Sequence, residues 1–429
     1  MLYSLICLIT ILLPDVGYLN LLKGGDENIK FTILKWFSCV NFCVLPVSVF
    51  YKNRTVRNIA CYFCLVVTII NTFFLPTYLE HFTKLTYTGL NSIYFIPTEV
   101  KEFLINETFR TVLCGVTWGL ELLIICMNGI EEKHIFNFKD FKEYLYFFFG
   151  LIAINVVSIT IYSPQLIFGT MDLKFDTWTW PHFVWFGAII VEVLILYFVF
   201  RNKEKQIKKS ALMILNLATL LQLSQLLTLT SFSLERLPVY IAPFGVLLML
   251  FSLISDTKRM YDFTFFYNLI SGIYYIIFPI AQGLNINHVY NIYTFFVATN
   301  VLIVPILANV IGVSPKLDKY SLKNFVLGFL IYFIVILLIG AVFNILNVET
   351  GESFFKVNYM YLFDKEFAVS NLKEVEKLFK VSFELFETTF YPIVWLLMYL
   401  CFNTLGIIIF LVSMLFILLT GRTKKNYRK

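Results

Sequence analysis

Charge is scarce in this 429-residue chain: Asp, Glu, Lys and Arg make up 14% of it, against 59% hydrophobic residues. Soluble domains carry about a quarter charged residues, so that class is excluded. Histidine is rarer still, with four copies, and glycine is low at 19 beside 47 phenylalanines. No GxSxG, HExxH or Walker A sequence occurs, which removes the common hydrolase, zinc-protease and nucleotide-binding signatures. The longest interval between apolar stretches, 347–388, is too short for an extramembrane catalytic domain.

Hydrophobic runs are abundant. Twelve apolar stretches lie near 2–19, 31–51, 57–77, 109–130, 143–163, 183–201, 210–232, 238–254, 263–283, 289–312, 323–346 and 389–419. A hydrocarbon core of about 30 Å needs about 20 helical residues. Lipid cannot satisfy backbone N–H and C=O groups, so each span must be a helix. The expected fold is an all-α polytopic transmembrane bundle of about twelve spans, with the first span read as a retained helix. A five-helix region, 1–163, precedes a seven-helix region, 164–429.

Basic residues alternate between the intervals. Lys52, Arg54 and Arg57, then Lys133, Lys139 and Lys142, the run Arg201–Lys209, the turn at Lys258 and Arg259, the turn at Lys316–Lys323 and the C-terminal tail fall on one side. That side holds roughly twice the Lys and Arg of the other, which places it and both termini in the cytoplasm. The net charge of +6 is then topogenic charge facing anionic lipid, and no nucleic-acid partner is expected. Phe-, Ile-, Asn- and Lys-rich composition fits an AT-rich bacterial source, and the expected location is the plasma membrane.

All eight cysteines fall in predicted spans. Cys61-x-x-Cys64 has no second pair or nearby histidine to complete a metal site, so these read as small buried hydrophobes, and neither metal nor cofactor is expected. Glu121 and Glu192 stand mid-span, where a carboxyl costs about 3 kcal/mol and needs a partner or a role. No Lys or Arg lies at matching depth, so each is either a protonated, hydrogen-bonded structural group or part of a proton path. Asp256-Thr257-Lys258-Arg259 reads as a charged turn that fixes topology. Residues 371–388 place Leu372, Val375, Phe379, Phe383 and Phe386 near one helical face, which predicts an interfacial amphipathic helix feeding the last span.

Several short features in the last seven spans resemble one family. Phe175-Asp176-Thr177-Trp178-Thr179-Trp180-Pro181-His182 precedes the sixth span, Leu237-Pro238 opens the eighth, and Tyr261 to Phe266 with Pro279 mark the ninth. Asn358-Tyr359-Met360-Tyr361-Leu362 follows the eleventh. Together these make residues 170–420 resemble the YwaF-like seven-helix membrane proteins, whose animal relatives move fatty acyl chains between phospholipids. In that family Leu-Pro is followed by an apolar residue, His, another apolar residue and Cys, and a further His stands in the tenth span. This chain has Val239-Tyr240-Ile241-Ala242 and then Thr299-Asn300 at those places. A thiolate nucleophile needs a sulfur and a base, and Tyr240, Ala242 and Thr299 supply neither.

The resemblance therefore implies a lipid- or amphipath-binding protein, or a scaffold, ahead of an active lipid enzyme with an unfamiliar site. His182, Pro238, Tyr240, Ala242, Thr299 and Asn300 would line its ligand site, and membrane lipid would be the partner. The alternative is a proton-coupled secondary transporter using Glu121 and Glu192, although few glycines and short central loops suit alternating access poorly.

Overall fold

The computed structural model describes residues 2–3, 41–48, 57–58, 60–70, 72–73, 102, 106–131, 141, 145, 171–230, 234, 237, 241–277, 283–287, 289–363 and 379–419. Eight long helices run through them: α1 Glu107–Glu131, α2 Trp180–Phe200, α3 Lys205–Thr230, α4 Ile241–Ser255, α5 Lys258–Ile277, α6 Val289–Val310, α7 Ser321–Thr350 and α8 Pro392–Leu419. A hairpin of β1 Phe383–Leu385 and β2 Thr388–Phe390 precedes α8. The chain divides into two compact units, Met1–Phe232 with Tyr275–Leu307, and Ser233–Tyr274 with Ala308–Lys429.

The predicted helical fold is present, with fewer spans. Among the described residues four helices are long and apolar enough to cross a membrane: Thr111–Asn128 within α1, α2, α7, and Pro392–Leu415 within α8. Ala60–Ile70, Phe244–Ser255 and Val297–Val310 are shorter apolar helices. The described residues thus support four spans where twelve were expected. The stretches near 2–19, 31–51 and 143–163 lie mostly outside the described residues.

Helix α7 shows why these are membrane helices. Leu327, Ile331, Ile334, Leu338 and Val342 follow one another at three- and four-residue steps and are exposed. The opposite stripe, Phe325, Phe329, Tyr332, Phe333, Ile336, Gly340 and Asn344, is buried. A helix in water exposes a polar face, whereas an apolar stripe on the outside needs lipid against it. At 30 residues it extends about 45 Å, longer than the hydrocarbon core. It stops at Gly351, whose φ of 70° suits a residue without a Cβ and whose N–H bonds Asn347 O.

In the second unit, phenylalanine rings seat against glycine. A Cβ on Gly328 would meet Phe263, one on Gly340 would meet Phe363, and one on Gly406 would meet Phe325. Phe325 stacks with Phe329 at 5.9 Å, and Phe329 with Phe402 at 5.1 Å. These three glycines therefore act as sockets for aromatic rings, letting helix and ring pack closely.

After α7 the chain is irregular yet largely buried over 357–362, and side chains of Asn344, Tyr359 and Trp395 bond backbone groups around it. Tyr359, Met360 and Leu362 are fully buried, and Met360 holds a φ of 53°. Asn344 Nδ2 donates to Val357 O at 2.8 Å, and Val357 N–H donates to Asn344 Oδ1 at 3.4 Å. Trp395 Nε1 donates to Leu362 O at 3.0 Å, and Tyr359 Oη to Leu234 O. Buried non-helical backbone is stable only when protein groups satisfy it.

The predicted helix over 371–388 is overturned where the residues are described. Phe383 pairs with Phe390, Glu384 with Thr389 and Leu385 with Thr388. Aromatic and β-branched residues favour cross-strand pairs of this kind. Phe390 is drawn into contact with Trp395 at 5.8 Å and Phe363 at 6.3 Å. The stretch 371–378 lies outside the described residues.

Candidate functional site

The first unit is organised by a short ribbon at the start of α2 and α6. Phe175 N–H donates to Leu284 O and Gly283 N–H to Phe175 O, both at 2.8 Å; Ile286 N–H donates to Leu173 O at 2.7 Å. Gly283 has a φ of 77°, which turns the strand. Asn291 Nδ2 ties the base of α6 to Asn285 O at 2.7 Å. Both helices therefore run away from the same ribbon.

His182 locks this arrangement. It is fully buried among Phe175, Trp178, Trp185 and Phe186. Its Nδ1 accepts the Trp178 N–H at 3.0 Å, and its Nε2 lies 2.7 Å from Ile276 O. A backbone N–H can only donate and a carbonyl can only accept. The ring must then be the neutral tautomer with its proton on Nε2. Both nitrogens are engaged, so His182 has no lone pair to offer as a base and no free donor for a ligand. The two bonds give His182 a structural role at the ribbon. Trp178 itself holds a φ of 64°, and the His182 bond helps keep it there.

Below the ribbon, Trp185 of α2 touches Phe295 of α6, with ring centroids 5.2 Å apart. Thr299 is four residues beyond Phe295, and Glu192 seven beyond Trp185. Both spacings return to the same helical face. Thr299 and Glu192 therefore each lie near the ring-bearing face of their own helix, about 6 Å along α6 and about 10 Å along α2 from the ring contact.

Thr299 and Asn300 are buried, at 0% and 1% exposure. Thr68, Thr117 and Thr219 each return their hydroxyl to the carbonyl one turn earlier, at 2.8 Å. Thr299 does not. Its Oγ1, and both Oδ1 and Nδ2 of Asn300, have no hydrogen-bond partner among the described residues. Half-buried Glu192 likewise has no such partner. Each unsatisfied buried polar group costs about 1–3 kcal/mol, so an occupant able to donate and accept is favoured here.

Glu121 is set differently. Its Oε1 accepts from Tyr3 Oη at 2.9 Å and its Oε2 from Thr68 Oγ1 at 2.8 Å, and it is 4% exposed. Neutral hydroxyls from distant parts of the sequence meet on this carboxyl. Pro238 and Tyr240 lie outside the described residues. Ala242 is a backbone position of α4, in the second unit, while His182, Thr299 and Asn300 are in the first. Among the described residues no three of His, Cys, Asp and Glu gather as metal ligands.

One cluster escaped the sequence reading. Lys258 does more than fix topology: its Nζ lies 3.2 Å from Asp262, 3.6 Å from Asp318 and 2.8 Å from Lys316 O. Asn324 Nδ2 donates to Asp262 Oδ2 at 2.8 Å, and Lys258 reaches both oxygens of that carboxylate. Asp262 is 1% exposed. The i, i+4 spacing of Lys258 and Asp262 was the available signal; Asp318 and Asn324 join only through the fold.

Four helices long and apolar enough to cross a membrane, with exposed apolar stripes, define a polytopic helical membrane protein. The TMEM164 family model matches residues 177–412, more than half of the chain, and the chain belongs to that family. No curated protein and no solved structure matches it.

Proposed function

We propose that this membrane protein holds a phospholipid or similar amphipath without acyl-transfer chemistry of its own, with Thr299 and Asn300 as the polar contact. The supporting observation is the buried Thr299–Asn300 pair, whose side-chain polar atoms are left without partners. A headgroup ester or phosphate would accept from Thr299 Oγ1 and Asn300 Nδ2, and a hydroxyl or amine would donate to Asn300 Oδ1. Half-buried Glu192, on the ring-bearing face of α2, would add a carboxyl that favours a headgroup carrying a donor or a positive charge. The YwaF-like resemblance supplies the lipid expectation, while Ala242, Tyr240 and Thr299 stand where its nucleophile and base would be. The family match falls within 164–429, and 1–163 is read as an added N-terminal region. The charge pattern favours a multi-pass plasma-membrane protein with about twelve spans and both termini cytoplasmic.

The test is native mass spectrometry of the full chain released from detergent. The wild type is expected to retain one lipid, and Asn300→Leu to lose it while staying folded. A lipid-free wild type, or equal retention by the variant, would overturn the reading. The transporter alternative rests on Glu121 and Glu192. Glu121 has both oxygens held by hydroxyls, so Glu192 is the better candidate for a coupling group.

A further inference from the structure

We infer that the hairpin Phe383–Phe390 is a membrane-inserting finger, whose partner is the interfacial layer of the bilayer beside α8. This goes beyond the proposed lipid site and does not depend on it.

The argument begins with the turn. Phe386 and Glu387 have φ of 50° and 57°. Two successive left-handed residues form the tight hairpin turn that Asn-Gly or Gly-Gly ordinarily occupies. Phe and Glu carry a Cβ into that region, where it crowds the following carbonyl oxygen. The turn therefore keeps an aromatic ring at its tip against local preference.

That ring is not packed inside the protein. Phe386 is 65% exposed, Leu385 50%, Val381 50% and Phe383 45%. In water such a strained apolar tip would have two penalties and no gain. In the interfacial layer the exposed area is removed from water, which offsets the strain.

Position supplies the occupant. Phe383 and Leu385 share one face of β1, across from Phe390 and Thr388 of β2. At its base this face packs on Trp395, with Phe383 at 6.0 Å and Phe390 at 5.8 Å. Trp395 is in the first turn of α8, a candidate span, and tryptophan at a span end sits at headgroup level. Only Tyr391 separates β2 from α8. The exposed face of α8 starts at once, with Leu396, Leu397 and Leu400. The apolar hairpin surface is thus continuous with the exposed apolar face of a candidate span. Glu384 points to the other face of β1, and Glu387 is in the turn. Both carboxylates can stay with headgroup water while Leu385 and Phe386 enter the layer, as amphipathic residues do at interfaces.

The experiment places the photo-reactive residue p-benzoylphenylalanine at position 386 of the full chain, in phosphatidylcholine–phosphatidylglycerol nanodiscs. Irradiation is followed by intact-mass analysis. The same residue at position 411, on the exposed face of α8, serves as the lipid-contact standard, and position 385 replaces 386 if that variant fails to fold. A lipid adduct at 386 or 385 in yield comparable to 411 is the expected result. Adduct at 411 with none at the hairpin would overturn the inference, as would cross-linking of the hairpin to a second copy or another protein.

Discussion

Asn344 reads the backbone of Val357 as a neighbouring strand would, donating to its carbonyl at 2.8 Å and accepting its N–H at 3.4 Å. Asn344 Nδ2 also lies 2.8 Å from Gly340 O in its own helix. One side chain thus fixes the irregular segment against α7. Asn344→Leu removes both cross-links and leaves two buried backbone groups unpaired. The expected loss is about 3 kcal/mol, read as a lowered unfolding midpoint in detergent. An unchanged midpoint would show that these bonds carry no net stability.

Lys258 partners a buried carboxylate, and its removal leaves Asp262 beside Asn324 alone. Lys258→Met is expected to cost about 3 kcal/mol, the range for breaking a buried pair from one side. Lys258→Met with Asp262→Leu should recover much of that, because the uncompensated charge is gone. A double variant no better than the single one would contradict the pairing.

His182→Leu opens Trp178 N–H and Ile276 C=O together, and about 2 kcal/mol should be lost. Hydrogen exchange should accelerate at Trp178 and across the ribbon at 283–287, while α8 is unaffected. Since both ring nitrogens are occupied, the variant should still retain the proposed lipid. Loss of lipid with intact ribbon protection would instead make His182 a ligand contact.

Glu387→Gly relieves one left-handed residue of the hairpin turn. Stability should rise by about 1 kcal/mol, seen as a raised midpoint in the same unfolding assay. A fall would mean that the Glu387 side chain contributes more than the strain it imposes.

Much of the helical framework was legible because it follows from local physics. The apolar runs near 183–201, 323–346 and 389–419 correspond to α2, α7 and α8 within a few residues, since a run of that length must be helical in lipid. Asn358 to Leu362 was visible as a motif, but its buried, left-handed Met360 was not. Nothing in a linear pattern tells which side chains will cap an irregular backbone. The hairpin was misread because Phe379, Phe383 and Phe386 satisfy a helical period, while the left-handed turn at Phe386 and Glu387 lacks the Asn or Gly that signals a hairpin.

The sequence alone determined that this chain lives in a membrane and lacks Cys and His at the positions the resemblance assigns to catalysis. Both are properties of residue type and order. Tertiary structure decided what the polar groups do. It engaged both His182 nitrogens, paired Lys258 with Asp262 and left Thr299 and Asn300 unpartnered. Partnership depends on which atoms meet across helices, and in a chain so rich in apolar residues that is set by how rings and glycines pack.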